Sequence, residues 1–179
     1  MGDRPSVESI LARHPFPDYR WLDPGQIVVS QWVRMKCQFG CPHYGRAASC
    51  PPNTLSVEDC RQFFREYQRA LAIHFEQVAP DATARRTWSA RTNRALAAVE
   101  RQAFLAGYPK AFVLFMDSCY LCAECVPQRA ECKEPALSRP SPESMAVDVF
   151  ATVRQVGYPI EVLTDVTAPM NRYAFLLIE

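Results

Sequence analysis

Three cysteines at intervals of three residues, Cys119, Cys122 and Cys125, carry the clearest chemical signal in the chain. Thiolates so spaced can wrap one side of an iron–sulfur cubane, while the backbone between them offers amide hydrogen bonds to its sulfurs. In bacterial-type ferredoxins the run continues with a fourth cysteine after three intervening residues, followed by proline. Here Cys132 comes after six residues and its proline is Pro135. The expected cofactor is a 4Fe-4S cluster, one or two per chain. Zinc is the alternative, although two Cys-x2-Cys pairs are its usual arrangement.

A second group precedes it: Cys37-x3-Cys41-x8-Cys50, followed by Pro51 and Pro52. The cysteine–proline pair at Cys50 is what a ferredoxin uses for the ligand that reaches across to its other cluster. Two partitions of the seven thiols follow. Cys50 completes the set of Cys119, Cys122 and Cys125 while Cys132 joins Cys37 and Cys41, or Cys119, Cys122, Cys125 and Cys132 hold one site and Cys37, Cys41 and Cys50 another. Either way one site has four thiols and the other three, so the three-thiol site needs a further donor, solvent or a substrate. His43, two residues after Cys41, is a candidate for that position, as is a solvated role in the loop. Cys60 differs, because it falls on an apolar helical stripe where a free thiol behaves as a small hydrophobe. His14 and His74 have no partner that sequence identifies.

A thiolate-held cluster is anionic, so Arg34, Lys36, Arg46, Arg129, Lys133 and Arg139, which flank the two groups, could compensate it. Arginines 85, 86, 91, 94 and 101 read as a solvated helix face. The chain has no phosphate-binding glycine loop, serine nucleophile elbow or H-E-x-x-H. Lys+Arg 20 against Asp+Glu 19 leaves a net charge of +1, which argues against a nucleic-acid partner. The longest apolar runs, Ala111–Met116 and Tyr173–Ile178, are too short to span a bilayer. Residues 1–6 lack the apolar stretch of a secretion signal, so the expected compartment is the cytoplasm, where thiols stay reduced and serve as ligands rather than disulfides.

These groups need elements to hold them. The 179 residues, 49% hydrophobic and 22% charged, fit one α/β domain over residues 1–179 with cysteine loops at 37–52 and 119–135. Residues 26–36 are rich in β-formers and predict a strand into the first loop. Ser56 caps a helix with its stripe at Val57, Cys60, Phe64, Tyr67 and Leu71, and a half-buried strand over 71–76 follows. Asp81 opens a long helix ended by Gly107 and Pro109. The uniformly apolar run 111–116 predicts a strand at the centre of a mixed sheet flanked by helices. Ser141 and Pro142 begin a helix with its stripe at Met145, Val149, Val153 and Val156, and closing strands are expected near 160–163 and 173–178.

Together, V-R-M-K-C-x3-C-x2-Y-G-x4-C-P-P from Val33 to Pro52, the C-x2-C-x2-C from Cys119 and R-P-S-P-E-S-M-A-V-D-V from Arg139 to Val149 resemble the predicted metal-binding family known as domain of unknown function 2284. The family's cysteines fall on Cys37, Cys41, Cys50, Cys119, Cys122, Cys125 and Cys132, and not on Cys60. The resemblance implies metal binding, as iron–sulfur, and no substrate. Three roles follow from the residues. One is an electron-transfer or redox accessory protein serving a partner protein. Another is an enzyme whose three-cysteine cluster keeps one iron open to a small-molecule substrate. The last is a structural zinc protein.

Overall fold

A computed structural model describes residues 5–16, 18–165 and 168–179; part of the N-terminal tail, residues 1–4, lies outside them. Helix α1 (Val7–Leu11) and strand β1 (Asp18–Leu22) open the chain, neither of them anticipated from sequence. Helices α2 (Gln31–Gly40) and α3 (Val57–Arg65) lead to strand β2 (Ala70–Gln77), and helix α4 (Ala82–Leu105) leads to strand β3 (Phe112–Leu114). Helix α5 (Val149–Gln155) precedes the last strand, β4 (Met170–Leu177).

The four strands form one sheet in the order β1-β2-β4-β3, and all three pairings are antiparallel. Alternation along β2 and β4 gives the sheet two apolar faces. Leu71, Ile73, Ala174 and Leu176 meet α1 and α4 through Ile10, Leu11, Leu96 and Val99. Ala70, Ala72, Phe175 and Leu177 meet α3 and α5 through Cys60, Phe64, Val149 and Val153. This is the expected α/β layering with helices on a sheet.

Ser56 caps α3 as its spacing to Asp59 predicts, and Asp81 caps α4 by accepting from the Ala84 amide at 2.8 Å. Several expectations are corrected. The segment 26–36 is no strand: extended backbone ends at Val29, bridged to Val147, and α2 begins at Gln31. The helix buries Val33 while Trp32, Met35 and Phe39 stay exposed, so helical spacing overrides the β propensity of the tryptophan and valine. The apolar run 111–116 forms the edge strand β3 rather than the centre, its outer flank covered by the chain that returns at Pro140 to accept from the Phe115 amide. The helix expected from Ser141 is broken: a 3-10 turn, Glu143–Met145, ends at Ala146 in the left-handed region (φ 59°), and α5 restarts with Asp148 as its cap. Residues 160–163 form no strand.

Candidate metal centre

The second cysteine loop follows β3, whereas the first runs from α2, whose last turns carry Cys37, to α3. The two meet beside the sheet end where β3 stops and β4 begins. Residues 116–118 follow β3, residues 171–173 start β4, and both border the same cavity. That cavity is about 830 Å³ and is also lined by Cys37, Cys41 and Cys50. A second cavity of about 580 Å³ is lined by Cys119, Cys122, Cys125 and Cys132. All eight cysteines are free thiols. The two cavities thus divide seven cysteines as four and three, and Cys60 borders neither; it is fully buried between α3 and the sheet, with its thiol 3.7 Å from the Leu55 carbonyl.

Electrostatics report the same grouping. Burial, then Cys119, Cys125 and Cys132, raise the Cys122 thiol. Burial, then Cys41, raise Cys37. Cys50 is pushed up to about 12, first by burial, then by Cys37 and Cys41, and after them by Cys125 and Cys119. Cys50 therefore lines the cavity of Cys37 and Cys41 and also feels the thiols of the other group. Crowded thiols of this kind hold their protons until a cation replaces them. The loops also touch directly, for the Ala48 amide donates to Cys125 Sγ at 3.4 Å. The donors surround space rather than a point: among the described residues, no three His, Cys, Asp or Glu side chains converge as tightly as one bare ion requires.

Helix α4 fixes the second loop by its backbone. Asn93 Nδ2 donates to the carbonyls of Ser118 (3.0 Å) and Cys119 (3.2 Å), Arg94 donates to that of Leu121 (2.9 Å), and Arg86 to those of Cys122 (3.0 Å) and Ala123. Arg85 pairs with Asp117 at 3.0 Å. The arginine face read as solvated is thus partly a clamp, and Asn93, fully buried, is a positioning residue that sequence reasoning missed. Its only sequence signal is an asparagine in line with the apolar stripe of Leu96 and Ala97. Between Cys119 and Cys122, Tyr120 adopts φ 49°, a left-handed conformation that costs a non-glycine residue about 1 to 3 kcal/mol and is held here by the clamp.

His43 borders the cavity of Cys119, not that of Cys37, and its Nε2 lies 3.2 Å from the Tyr120 hydroxyl. The turn that carries it there bonds the Tyr44 amide to the Cys41 carbonyl, with Gly45 following at φ 68°. His74 acquires the partners that sequence withheld, Asp18 at 2.9 Å and Asn171 at 2.7 Å.

Of the flanking cations, Arg46 and Lys133 border the four-thiol cavity together with Arg86, and Lys36 borders the other. Arg139 is instead neutralised by Glu100, with Nε 3.0 and 2.9 Å from the two carboxylate oxygens. Arg34 is spent on the carbonyls of Leu55 and Ser144, each at 3.0 Å, and Arg129 on that of Pro135 at 2.9 Å.

Fold and site together define an α/β protein whose sheet end carries two adjoining cysteine-lined cavities, a donor set suited to thiophilic metals. The chain belongs to the family described as "Predicted metal-binding protein (DUF2284)", whose model matches residues 20–178. No curated protein and no solved structure matches it.

Proposed function

We propose that this metal-binding chain is an iron–sulfur protein that carries two 4Fe-4S clusters and acts in electron transfer or as a redox accessory to a partner protein. The observation that carries the reading is the division of seven cysteines, four round one cavity and three round its neighbour. A donor set spread round 580 Å³ suits a ligand larger than a single ion. Arg46, Arg86 and Lys133 on the same walls suit an anionic one. Bound there, such clusters would supply one-electron chemistry, and at the three-thiol site an iron with one position open. The chain's own part is to hold the thiols at fixed separation through α4, to donate the Ala48 amide to Cys125, and to limit water around the buried Cys50.

One observation favours a second reading, in which the chain is an enzyme. The three-thiol site opens on the larger cavity, which also holds Asp117, Glu143 and Arg172. A pure electron carrier has no need of such a chamber, whereas a small-molecule substrate beside an open iron does. Anaerobic purification followed by iron, zinc and sulfide analysis tests both readings. Brown protein with about eight iron and eight sulfide per chain is expected from two cubanes. Colourless protein with zinc and no sulfide would refute them and leave the structural zinc role.

A further inference from the structure

We propose that the Ser138 hydroxyl donates a hydrogen bond to the Cys119 thiolate of the four-thiol centre and thereby raises the reduction potential of the cluster held there. The inference rests on the iron–sulfur reading and deepens it by assigning a positioning residue that acts through one of the ligands.

Ser138 stands at the exit of the second loop and borders the cavity of Cys119, Cys122, Cys125 and Cys132. It is 5% exposed, and among the described residues its hydroxyl meets a single partner, Cys119 Sγ, at 3.6 Å. The backbone that carries it is fixed on both sides. The Ser138 amide donates to the Glu134 carbonyl at 2.8 Å, and the Ser138 carbonyl accepts from Arg139 Nη1 at 2.9 Å. Arg139 is itself forked onto Glu100, so the hydroxyl is held in place by contacts that do not involve the cysteine. A hydroxyl withdrawn from water costs stability unless a hydrogen bond compensates it, and a neutral thiol, weak as donor and as acceptor, compensates little. A thiolate is the stronger partner, because hydrogen bonds to an ionised acceptor are roughly twice as strong.

The direction of the bond follows from metal binding. With Cys119 protonated, its S–H donates to Ser138 Oγ. A metal takes the place of that proton and leaves the sulfur as an acceptor only, so the contact persists with Ser138 as donor. One-electron reduction by a partner protein adds negative charge to the ligand sulfurs; no bond forms or breaks, and no proton moves. The hydrogen bond is therefore stronger in the reduced state, which favours reduction. Burial makes Ser138 hard to replace. Cys125 is exposed, takes the Ala48 amide and has water within reach. Cys119 packs against the core cluster that contains Met116 and Leu121, and among the described residues Ser138 is the side-chain donor that reaches any of the four sulfurs.

The test is a redox titration of anaerobically purified wild type, Ser138→Ala and Ser138→Thr, followed by visible absorption and by the electron-spin signal of the reduced clusters. The four-thiol centre is the one whose signal disappears in Cys122→Ser. Expected is a Ser138→Ala protein with unchanged iron, sulfide and circular dichroism, in which reduction of that centre is about tenfold less favourable, or about 59 mV lower for a one-electron couple. Ser138→Thr, which keeps the hydroxyl, should recover most of the shift. A merely structural role would change stability and leave the potential alone. An unchanged potential in Ser138→Ala, or a Ser138→Thr potential as low as that of Ser138→Ala, would overturn the assignment. If Ser138→Ala loses the iron of that centre, the threonine variant decides: iron kept there upholds the role of the hydroxyl, and iron lost there as well ends it. A wild type holding zinc and no sulfide would end the iron–sulfur reading and this inference together, whereas intact clusters with an unshifted potential would end this inference alone.

Discussion

At the scale of single residues, eight chemically identical thiols are sorted by where each side chain ends. Cys119, Cys122 and Cys125 border one cavity, and Cys60 sits in the core at 0% exposure. Serine at 119, 122 or 125 should therefore bleach the visible absorption of the four-thiol centre and lower iron by about half of the total, which spectra and metal analysis of each variant would show. Full colour in all three variants would end the assignment. Cys60→Ala, by contrast, should keep its metal and lose about 1 kcal/mol of stability for a small core cavity, as read from urea unfolding. Stoichiometric metal loss in that variant, still folded, would make Cys60 a ligand.

At the scale of elements, the second loop is held by contacts that join it to α4. Arg139 at the loop's exit forks onto Glu100, whose Oε2 also accepts from the Val113 amide at 2.8 Å, so one carboxylate ties helix, edge strand and loop. The pair is largely withdrawn from water, with side chains 19% and 10% exposed. Arg139→Ala leaves Glu100 charged and uncompensated, and should cost about 3 kcal/mol. If the urea midpoint hardly moves, the pair is not structural. The turn after α5 gives a second case. Gly157 has φ 77°, and a Cβ there would lie 2.7 Å from Arg20 Nη1, which donates to the Val156 carbonyl and lies over the Tyr158 ring. Gly157→Ala should destabilise by about 1 to 2 kcal/mol in thermal or urea unfolding, the sum of backbone strain and a displaced guanidinium. A neutral result would mean that the turn relaxes into another conformation.

At the scale of the whole molecule, the sheet's two apolar faces bury groups that ionise only at high pH. Burial raises Tyr67 and Tyr173 from the ordinary 10.0 to about 12, and lifts the core thiol of Cys60 to about 11. In each case the folded value exceeds the unfolded one. Below the unfolded value both states keep their protons and the stabilisation is whole. As pH rises, the unfolded chain ionises first and stability is lost progressively toward pH 12. Urea midpoints measured from neutral pH upward should fall steeply beyond about pH 10, and Tyr173→Phe should make the fall shallower. A flat profile to pH 12 would contradict this burial.

How much of this was legible in the chain follows from the range of each interaction. Caps and stripes are local, so Ser56, Asp81 and the helices they open could be read directly, as could the apolar setting of Cys60. The C-x2-C-x2-C run is local too, and with the flanking motifs it was enough to point to the family. Residues 26–36 misled because Trp32 and Val33 favour strands singly, whereas the helix gains from burying Val33 and from Arg34 reaching Leu55 and Ser144, contacts up to 110 residues away. Spacing alone left two partitions of the cysteines open, since it does not say which loop folds against which. The tertiary structure adds what spacing lacks: it brings both loops together beside the sheet, turns His43 toward Tyr120, and makes Arg85, Arg86, Asn93 and Arg94 of α4 the clamp of the second loop.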